Sequence, residues 1–132
     1  MALAGALAAS TAVVLRRVEV AGDSMLPAIA PGDRLVVLRH PRWPWRIGQL
    51  AALHDPRRPG DATLLVKRVT AVSDDGVEVR GDNEAASTDS RTFGPVSRSD
   101  LVGPVLYRYW PAERAGRLPA RGAARSAGTL GS

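Results

Sequence analysis

The stretch Thr63-Leu-Leu-Val-Lys-Arg-Val-Thr-Ala-Val-Ser-Asp-Asp-Gly-Val-Glu-Val-Arg80 decides the fold. Its two runs rich in valine and leucine flank a turn-forming sequence at residues 73–76, which predicts strands at 63–72 and 77–80. Further apolar runs, separated by Gly, Pro and Asp, predict strands at 17–20, 34–39, 49–53 and 101–109. The chain of 132 residues is therefore predicted to form one mainly β domain.

Both ends of the chain differ in composition from this central part. Residues 1–16 begin with an uncharged Ala-, Leu- and Val-rich segment, the domain spans 17–111, and residues 112–132 have the Ala/Arg/Gly/Pro composition of a disordered basic tail. The apolar part, residues 1–15, is shorter than the roughly 20 residues of a membrane-spanning helix. We expect a cytoplasmic protein, with membrane contact through residues 1–15 as the alternative.

Several classes of site are disfavoured by composition. The chain has no cysteine, which excludes disulfides, thiolate metal sites and cysteine-protease chemistry. His40 and His54 lie beside prolines without partners at metal or triad spacing, so we expect loop residues and neither a metal nor a cofactor. The net charge of +5 is not clustered outside the tail, and no nucleic-acid partner is predicted. Trp43 and Trp45, in a proline-rich stretch, are predicted to cap the β core.

Lys67 is the single lysine among the 18 lysine and arginine residues. Lysine, unlike arginine, can lose its proton when it is buried and can then act as a base. The period of two along a strand puts Lys67 on one face with Leu65 and Val69, and leaves Arg68 as the outward charge. The alternative is a strand lysine whose amine reaches water.

Ser24 lies in the string Gly22-Asp-Ser-Met-Leu-Pro27, directly after a short predicted strand. A hydroxyl on a turn at a strand end, with backbone N–H groups free to face a substrate carbonyl, fits a nucleophile with an oxyanion hole. Gly-Asp-Ser is also a common turn sequence.

A third polar string runs from Gly81-Asp-Asn to Ser87-Thr-Asp-Ser-Arg91 and is predicted to be a loop. A serine hydroxyl in this loop is suited to hold Lys67 in position. An Asp89–Arg91 pair is suited to brace the loop.

Taken together and in this order, the three strings resemble the signal peptidase I family of serine–lysine proteases, over roughly residues 18–110. The resemblance implies the compact coiled β fold shared by signal peptidases and repressor proteases. It also implies that Ser24 attacks the scissile carbonyl, that Lys67 takes its proton and that Ser87 orients Lys67. Asp82, Asn83, Asp89 and Arg91 would support the site, and a precursor protein or peptide would be the substrate.

Some features depart from that family. Gly22 replaces a side-chain hydroxyl that some members use for the oxyanion, and the short connection between Lys67 and Gly81 leaves no room for an accessory domain. This compact form is most similar to the nickel-type superoxide dismutase maturation proteases, so the expected substrate is a nickel superoxide dismutase proprotein.

Three alternatives remain open at this stage. A general signal peptidase would remove leader peptides of exported proteins. A self-cleaving repressor would need a DNA-binding segment ahead of the core, for which few residues precede the first strand. A catalytically inactive β module would only bind peptides, although all dyad positions hold competent residues.

Overall fold

The computed structural model describes residues 13–118 and 120 and confirms a mainly β protein. Its eight strands are β1 (Val14–Glu19), β2 (Arg34–Arg39), β3 (Leu50–His54), β4 (Leu64–Val72), β5 (Gly76–Arg80), β6 (Val96–Ser97), β7 (Leu101–Trp110) and β8 (Gly116–Arg117). One short helix, α1 (Ser90–Phe93), and three 3₁₀ turns complete the regular structure within those residues.

The strands form an antiparallel sheet that curls on itself. Its order is β1-β2-β7-β3-β4-β5-β6, and β8 also pairs with β7. Register shifts interrupt the β2–β7, β3–β7 and β4–β5 ladders. Such bulges bend a strand and increase its twist, which accounts for the curvature.

Curling buries both faces of β3. Leu50 and Ala52 pack in one apolar cluster with Met25 and Val37, whereas Ala51 and Leu53 pack in a second. The second cluster also contains Trp45 and is covered by Trp43, as the sequence predicted. The β4–β5 pair thus lies over a core that can exclude water from the inner face of β4.

The two ends of the domain differ from the prediction. Strand β1 begins at Val14 and not at residue 17, because Val14 already pairs with Arg39 of β2. The tail was predicted to be disordered from residue 112, and this is wrong for residues 112–118. Arg114 pairs with the buried carboxylate of Asp33, and Gly116–Arg117 extends the sheet beside β7. Residues 1–12 and 121–132 lie outside the described residues. In the described part of the chain, no helix has the length and apolar character needed to span a membrane.

Candidate active site

Lys67 lies on the inner face of β4, opposite Ala51 of β3. Only 4% of its surface is exposed, and its Nζ donates a 3.2 Å hydrogen bond to Ser87 Oγ. Burial lowers the pKa of the Lys67 amine below its usual 10.5, because the charged form loses its water. The nearby Asp89 carboxylate opposes this shift without cancelling it.

Ser87 connects Lys67 to a buried carboxylate. Its Oγ lies 2.9 Å from Asp89 Oδ2 and 3.1 Å from the Gly81 amide, which also donates to Asp89 Oδ2 at 3.0 Å. Burial alone would raise the pKa of Asp89, but hydrogen bonds from Arg91, Gly81 and Ser87 outweigh it and hold that pKa well below 3.8. Asp89 is therefore ionised and can only accept hydrogen bonds. Ser87 must donate its proton to Asp89, so its two lone pairs are left for Gly81 and Lys67.

Arg91 fixes Asp89 in this chain of contacts. Its guanidinium binds both carboxylate oxygens at 3.0 and 2.9 Å, and its amide donates to Asp89 Oδ1 at 3.1 Å. Asp89 is also the N-cap of α1, so one side chain caps the helix and orients Ser87. The pair braces the loop that follows β5.

Ser24 lies on the turn that follows β1. The Ser24 carbonyl accepts a 2.8 Å hydrogen bond from the Asn83 amide, and Asn83 Nδ2 donates to Asp23 O at 3.1 Å. The next residue, Met25, is fully buried, and its Sδ accepts a hydrogen bond from the Asp82 amide at 3.4 Å. The loop that carries Ser87 thus also holds the Ser24 turn.

Gly81 separates Ser24 from the Lys67–Ser87 pair. A Cβ atom built on Gly81 would lie 2.6 Å from the Ser24 carbonyl oxygen and would collide with Ser87 Oγ. The Ser24 turn and the Lys67 partner are therefore packed against the same backbone position. Within residues 13–118, Lys67 Nζ bonds Ser87 and makes no hydrogen bond to Ser24.

An apolar groove opens beside Ser24. It has a volume of about 150 Å³ and is lined by Val18, Val20, Gly22, Ser24, Leu64, Leu65 and Val66, among others. The Ser24 amide has no acceptor among the residues that the structure describes. This backbone N–H is available to a ligand oxygen at the groove.

Arg68 was predicted to be the outward charge of β4, and this is wrong. It is only 6% exposed, binds the Asp82 carboxylate at 2.7 and 3.1 Å, and donates to Gly48 O at 3.0 Å. Because β4 is covered on both faces, alternation could not assign an outward side. The pair fixes β4 to the loop that holds Ser24.

A buried cluster around Asp33 was missed by sequence reasoning. Asp33 Oδ2 accepts from the Ala30 amide at 2.9 Å and from Arg108 at 3.1 Å, and Arg114 binds its other oxygen. Arg108 also donates to Ala28 O at 2.8 Å. The cluster ties the residues that follow Ser24 to β7. Pro31-Gly32-Asp33 indicated only a turn, and the partners lie too far along the chain to be recognised from spacing.

Both histidines were predicted to be loop residues, and this is wrong for His54. His54 is the last residue of β3, and the His40 ring packs edge-on against Trp43 at 5.4 Å. Within the described residues, no group of three or more His, Cys, Asp or Glu side chains is arranged to hold a metal ion.

A comparison with known families identifies the family of this chain. The family model described as "Signal peptidase, peptidase S26" matches residues 1–82 and 79–110. The chain belongs to the peptidase S26 family of signal peptidases. It is therefore a member of a serine protease family, whose substrates are proteins.

Individual S26 relatives include organellar and bacterial proteins. The chain is 31% identical to mitochondrial ATP-independent inner membrane protease subunit 1a of Arabidopsis thaliana, over 80% of this chain and 76% of the relative. It is also 31% identical to mitochondrial inner membrane protease subunit 2 of Mus musculus, over 75% and 69% of the two chains. A probable signal peptidase I-1 of Synechocystis is 28% identical over 73% and 71%.

Proposed function

We propose that the protein is an endopeptidase in which Ser24 is the nucleophile and Lys67 the general base. The observation that carries this proposal is the burial of the Lys67 amine, which is bonded to Ser87 and packed with the Ser24 turn against Gly81. A buried amine with a lowered pKa is the form of lysine that can accept a proton near neutral pH.

The hydrogen-bond directions around Ser87 support this role for the lysine. Ser87 donates its only proton to Asp89, so Lys67 must donate to Ser87. The lone pair of a neutral Lys67 amine is then not used by Ser87. It is available to accept the hydroxyl proton of Ser24 when substrate closes the site.

The reaction would follow acyl transfer in two steps. Lys67 takes the Ser24 proton as Ser24 Oγ attacks the scissile carbonyl, and the Ser24 N–H stabilises the oxyanion. The Lys67 ammonium then returns a proton to the leaving amine as the C–N bond breaks. In the second step Lys67 takes a proton from water, the resulting hydroxide attacks the acyl-enzyme ester, and Ser24 regains its hydroxyl proton.

The groove beside Ser24 supports an extended peptide as the ligand. Strand β1 pairs only with β2 among the described strands, and residues Leu64 to Lys67 of β4 pair only with β3. Two open strand edges thus border the groove, where a peptide can bind by adding as a strand. A volume of about 150 Å³ favours small side chains before the cleaved bond.

Removal of leader peptides from precursor proteins is the substrate class that we propose. Relatives named signal peptidase I, including one of Bacillus caldolyticus that is 47% identical over 60 residues, support this general role. Cleavage of peptides that span a leader junction, with the new N-terminus identified by mass spectrometry, tests it.

A nickel-type superoxide dismutase proprotein is the second candidate substrate. The observation in its favour is the compact core, in which a tight turn joins β4 directly to β5. If this specialised role is right, the proprotein is cut at one site while unrelated leader peptides remain intact. Equal cleavage of both substrate types would exclude the specialised role and support the general one.

The proposal also places the protein in the cytoplasm. The alternative is that the protein contacts a membrane through residues 1–15. Fractionation of cells that express the full chain distinguishes the two, since a protein anchored through residues 1–15 stays with the membranes in high salt and is released only by detergent.

Two substitutions test the dyad directly. Ser24→Ala should abolish cleavage, and Lys67→Arg should lower kcat by at least about 10²-fold while it keeps the positive charge. Lys67→Gln introduces a smaller side chain than arginine. It provides a second variant if arginine is too large for the buried position. Arg46→Gln, an exposed change, is the control. Substantial turnover by either folded Lys67 variant would refute the base assignment.

A further inference from the structure

A basic pocket lies at the end of the sheet where β1 begins and β2 ends, away from Ser24, which follows the other end of β1. Its volume is about 180 Å³. It is lined by Arg16, Arg39, Pro41, His54, Arg98, Ser99, Leu101 and Val102. Three arginines and a histidine thus converge on a cavity whose lining includes no acidic side chain.

The strand register explains why two of these arginines meet. Val14 pairs with Arg39, and Arg16 pairs with Val37, so Arg16 and Arg39 are diagonal neighbours on one face of the β1–β2 pair. Arg98 is held from another element, because its Nε donates to Asp74 O at 3.0 Å. The two terminal nitrogens of the Arg98 guanidinium take no part in that hydrogen bond.

The arginines of the pocket lack the carboxylate partners that eight other described arginines have, as do Arg17, Arg42, Arg46 and Arg117 outside the pocket. Within residues 13–118, eight salt bridges join arginines to carboxylates, and none of them includes Arg16, Arg39 or Arg98. Asp100, two residues after Arg98, accepts from the Ser97 hydroxyl and lines a different groove. Converging cations without counter-charges repel one another, and a bound anion would relieve this repulsion.

We propose that this pocket binds the phosphate group of an anionic phospholipid. Guanidinium groups bind phosphate oxygens through two parallel N–H donors, which is the geometry that several arginines around one cavity can provide. Ser99 and His54 add shorter polar groups at the wall of the same pocket.

The exposed apolar residues around the start of β1 favour a lipid over a soluble phosphate. Val13, Val14 and Leu15 are 67%, 48% and 57% exposed. Val14 lies directly opposite Arg39 and shares its face of the β1–β2 pair, whereas Leu15 points to the other face. Apolar side chains that enter the acyl boundary, next to cations at the level of the phosphates, are typical of interfacial binding. The site does not depend on the proposed peptidase chemistry.

Vesicle binding by the full chain tests the proposal. Vesicles of phosphatidylcholine alone are compared with vesicles that also contain phosphatidylglycerol, and Arg16→Gln/Arg39→Gln is the pocket variant. Arg46→Gln/Arg117→Gln removes the same charge from arginines outside the pocket and is the control. We expect the pocket variant to lose about 10-fold or more of the phosphatidylglycerol-dependent affinity, and the control to lose less than roughly threefold.

A second measurement separates the lipid from a soluble source of phosphate. Val14→Gln should weaken binding to the anionic vesicles but should leave binding of inorganic phosphate, measured by titration, unchanged. Circular dichroism confirms that each variant is folded. Equal losses in the pocket and control variants would overturn the proposal, as would titratable phosphate binding by a protein that does not bind the anionic vesicles.

Discussion

The Asn83 amide donates a 2.8 Å hydrogen bond to the Ser24 carbonyl, and so joins two turns that lie far apart in the sequence. The Asn83 side chain adds a bond to Asp23 O at 3.1 Å. These bonds hold the Ser24 turn to the loop whose later residue, Ser87, contacts Lys67. The relative position of the two proposed dyad residues therefore depends on the loop that follows β5.

Gly81→Ala should separate the two halves of the site. The added Cβ would lie 2.6 Å from the Ser24 carbonyl oxygen, a backbone atom that cannot rotate away, and would also collide with Ser87. We expect a loss of about 1–3 kcal/mol of stability from overpacking and a fall in kcat of at least about 10-fold. Thermal unfolding and steady-state kinetics measure the two effects.

Gly22→Ala is the matched control for that substitution. It lies on the Ser24 side of the site, and a Cβ there has nothing within 4 Å. The variant should keep the stability of the wild type, whereas its cleavage rate is not used as a control because Gly22 lines the proposed peptide groove. If both alanine variants lose stability equally, crowding at Gly81 is not the reason.

The pH dependence of cleavage should follow Lys67. Since only the neutral amine can accept a proton, kcat/KM should rise with pH through a pKa that lies below 10.5, the value in an exposed lysine. Removing the Asp89 charge should move this limb to lower pH, because that carboxylate stabilises the ammonium. A limb that remains at the ordinary lysine pKa would contradict the assignment.

The same lysine should make stability depend on pH. Its pKa is lower in the folded than in the unfolded chain, so the unfolded chain binds more protons between the two values. Stability should therefore rise as the pH increases through this window, up to about the unfolded value of 10.5. Urea unfolding of wild type and Lys67→Met should show the rise only in the wild type, with the variant more stable at neutral pH.

Asp89→Asn should lower the free energy of unfolding by an amount that depends on pH. Asp89 is fully buried and bonded to the Arg91 guanidinium, so loss of its charge should cost about 2 kcal/mol at neutral pH. The folded pKa lies below 3.8, so this stabilisation is present above that pH and is lost as the pH falls further. The difference in unfolding free energy between wild type and variant should shrink in acid. A difference that does not change with pH would exclude a charge effect.

Local patterns in the sequence were sufficient for most of the sheet. Apolar runs bounded by turn residues located six strands, and β2 was predicted with the observed bounds because Asp33 and His40 flank it. Ser87 was selected from the resemblance to signal peptidase I, and Asp89 also because it could pair with Arg91. Lys67 was selected because it is the single lysine. Placing their side chains still required the structure.

Contacts between distant residues explain what sequence reasoning could not predict. Arg68 was assigned outward from the period of two alone, because strand periodicity does not reveal its ion pair with Asp82, which follows the end of the neighbouring strand. Residues 112–118 were assigned to a disordered tail because composition does not show that Arg114 binds Asp33. In both cases a charged side chain that a pattern leaves in solvent is paired in the fold.

Asp33→Asn should show how far the stability of the domain depends on the contact between the Ser24 segment and β7. Asp33 is 1% exposed and neutralises Arg108 and Arg114, so the variant would leave two guanidinium groups without their carboxylate. We expect a loss of about 3 kcal/mol in unfolding free energy, measured by urea denaturation. Glu19→Gln, which breaks the exposed 3.5 Å pair with Arg34, is the control and should cost less than about 0.5 kcal/mol. Comparable losses in the two variants would mean that burial adds nothing to the Asp33 cluster, which would then have no special part in holding the residues after Ser24.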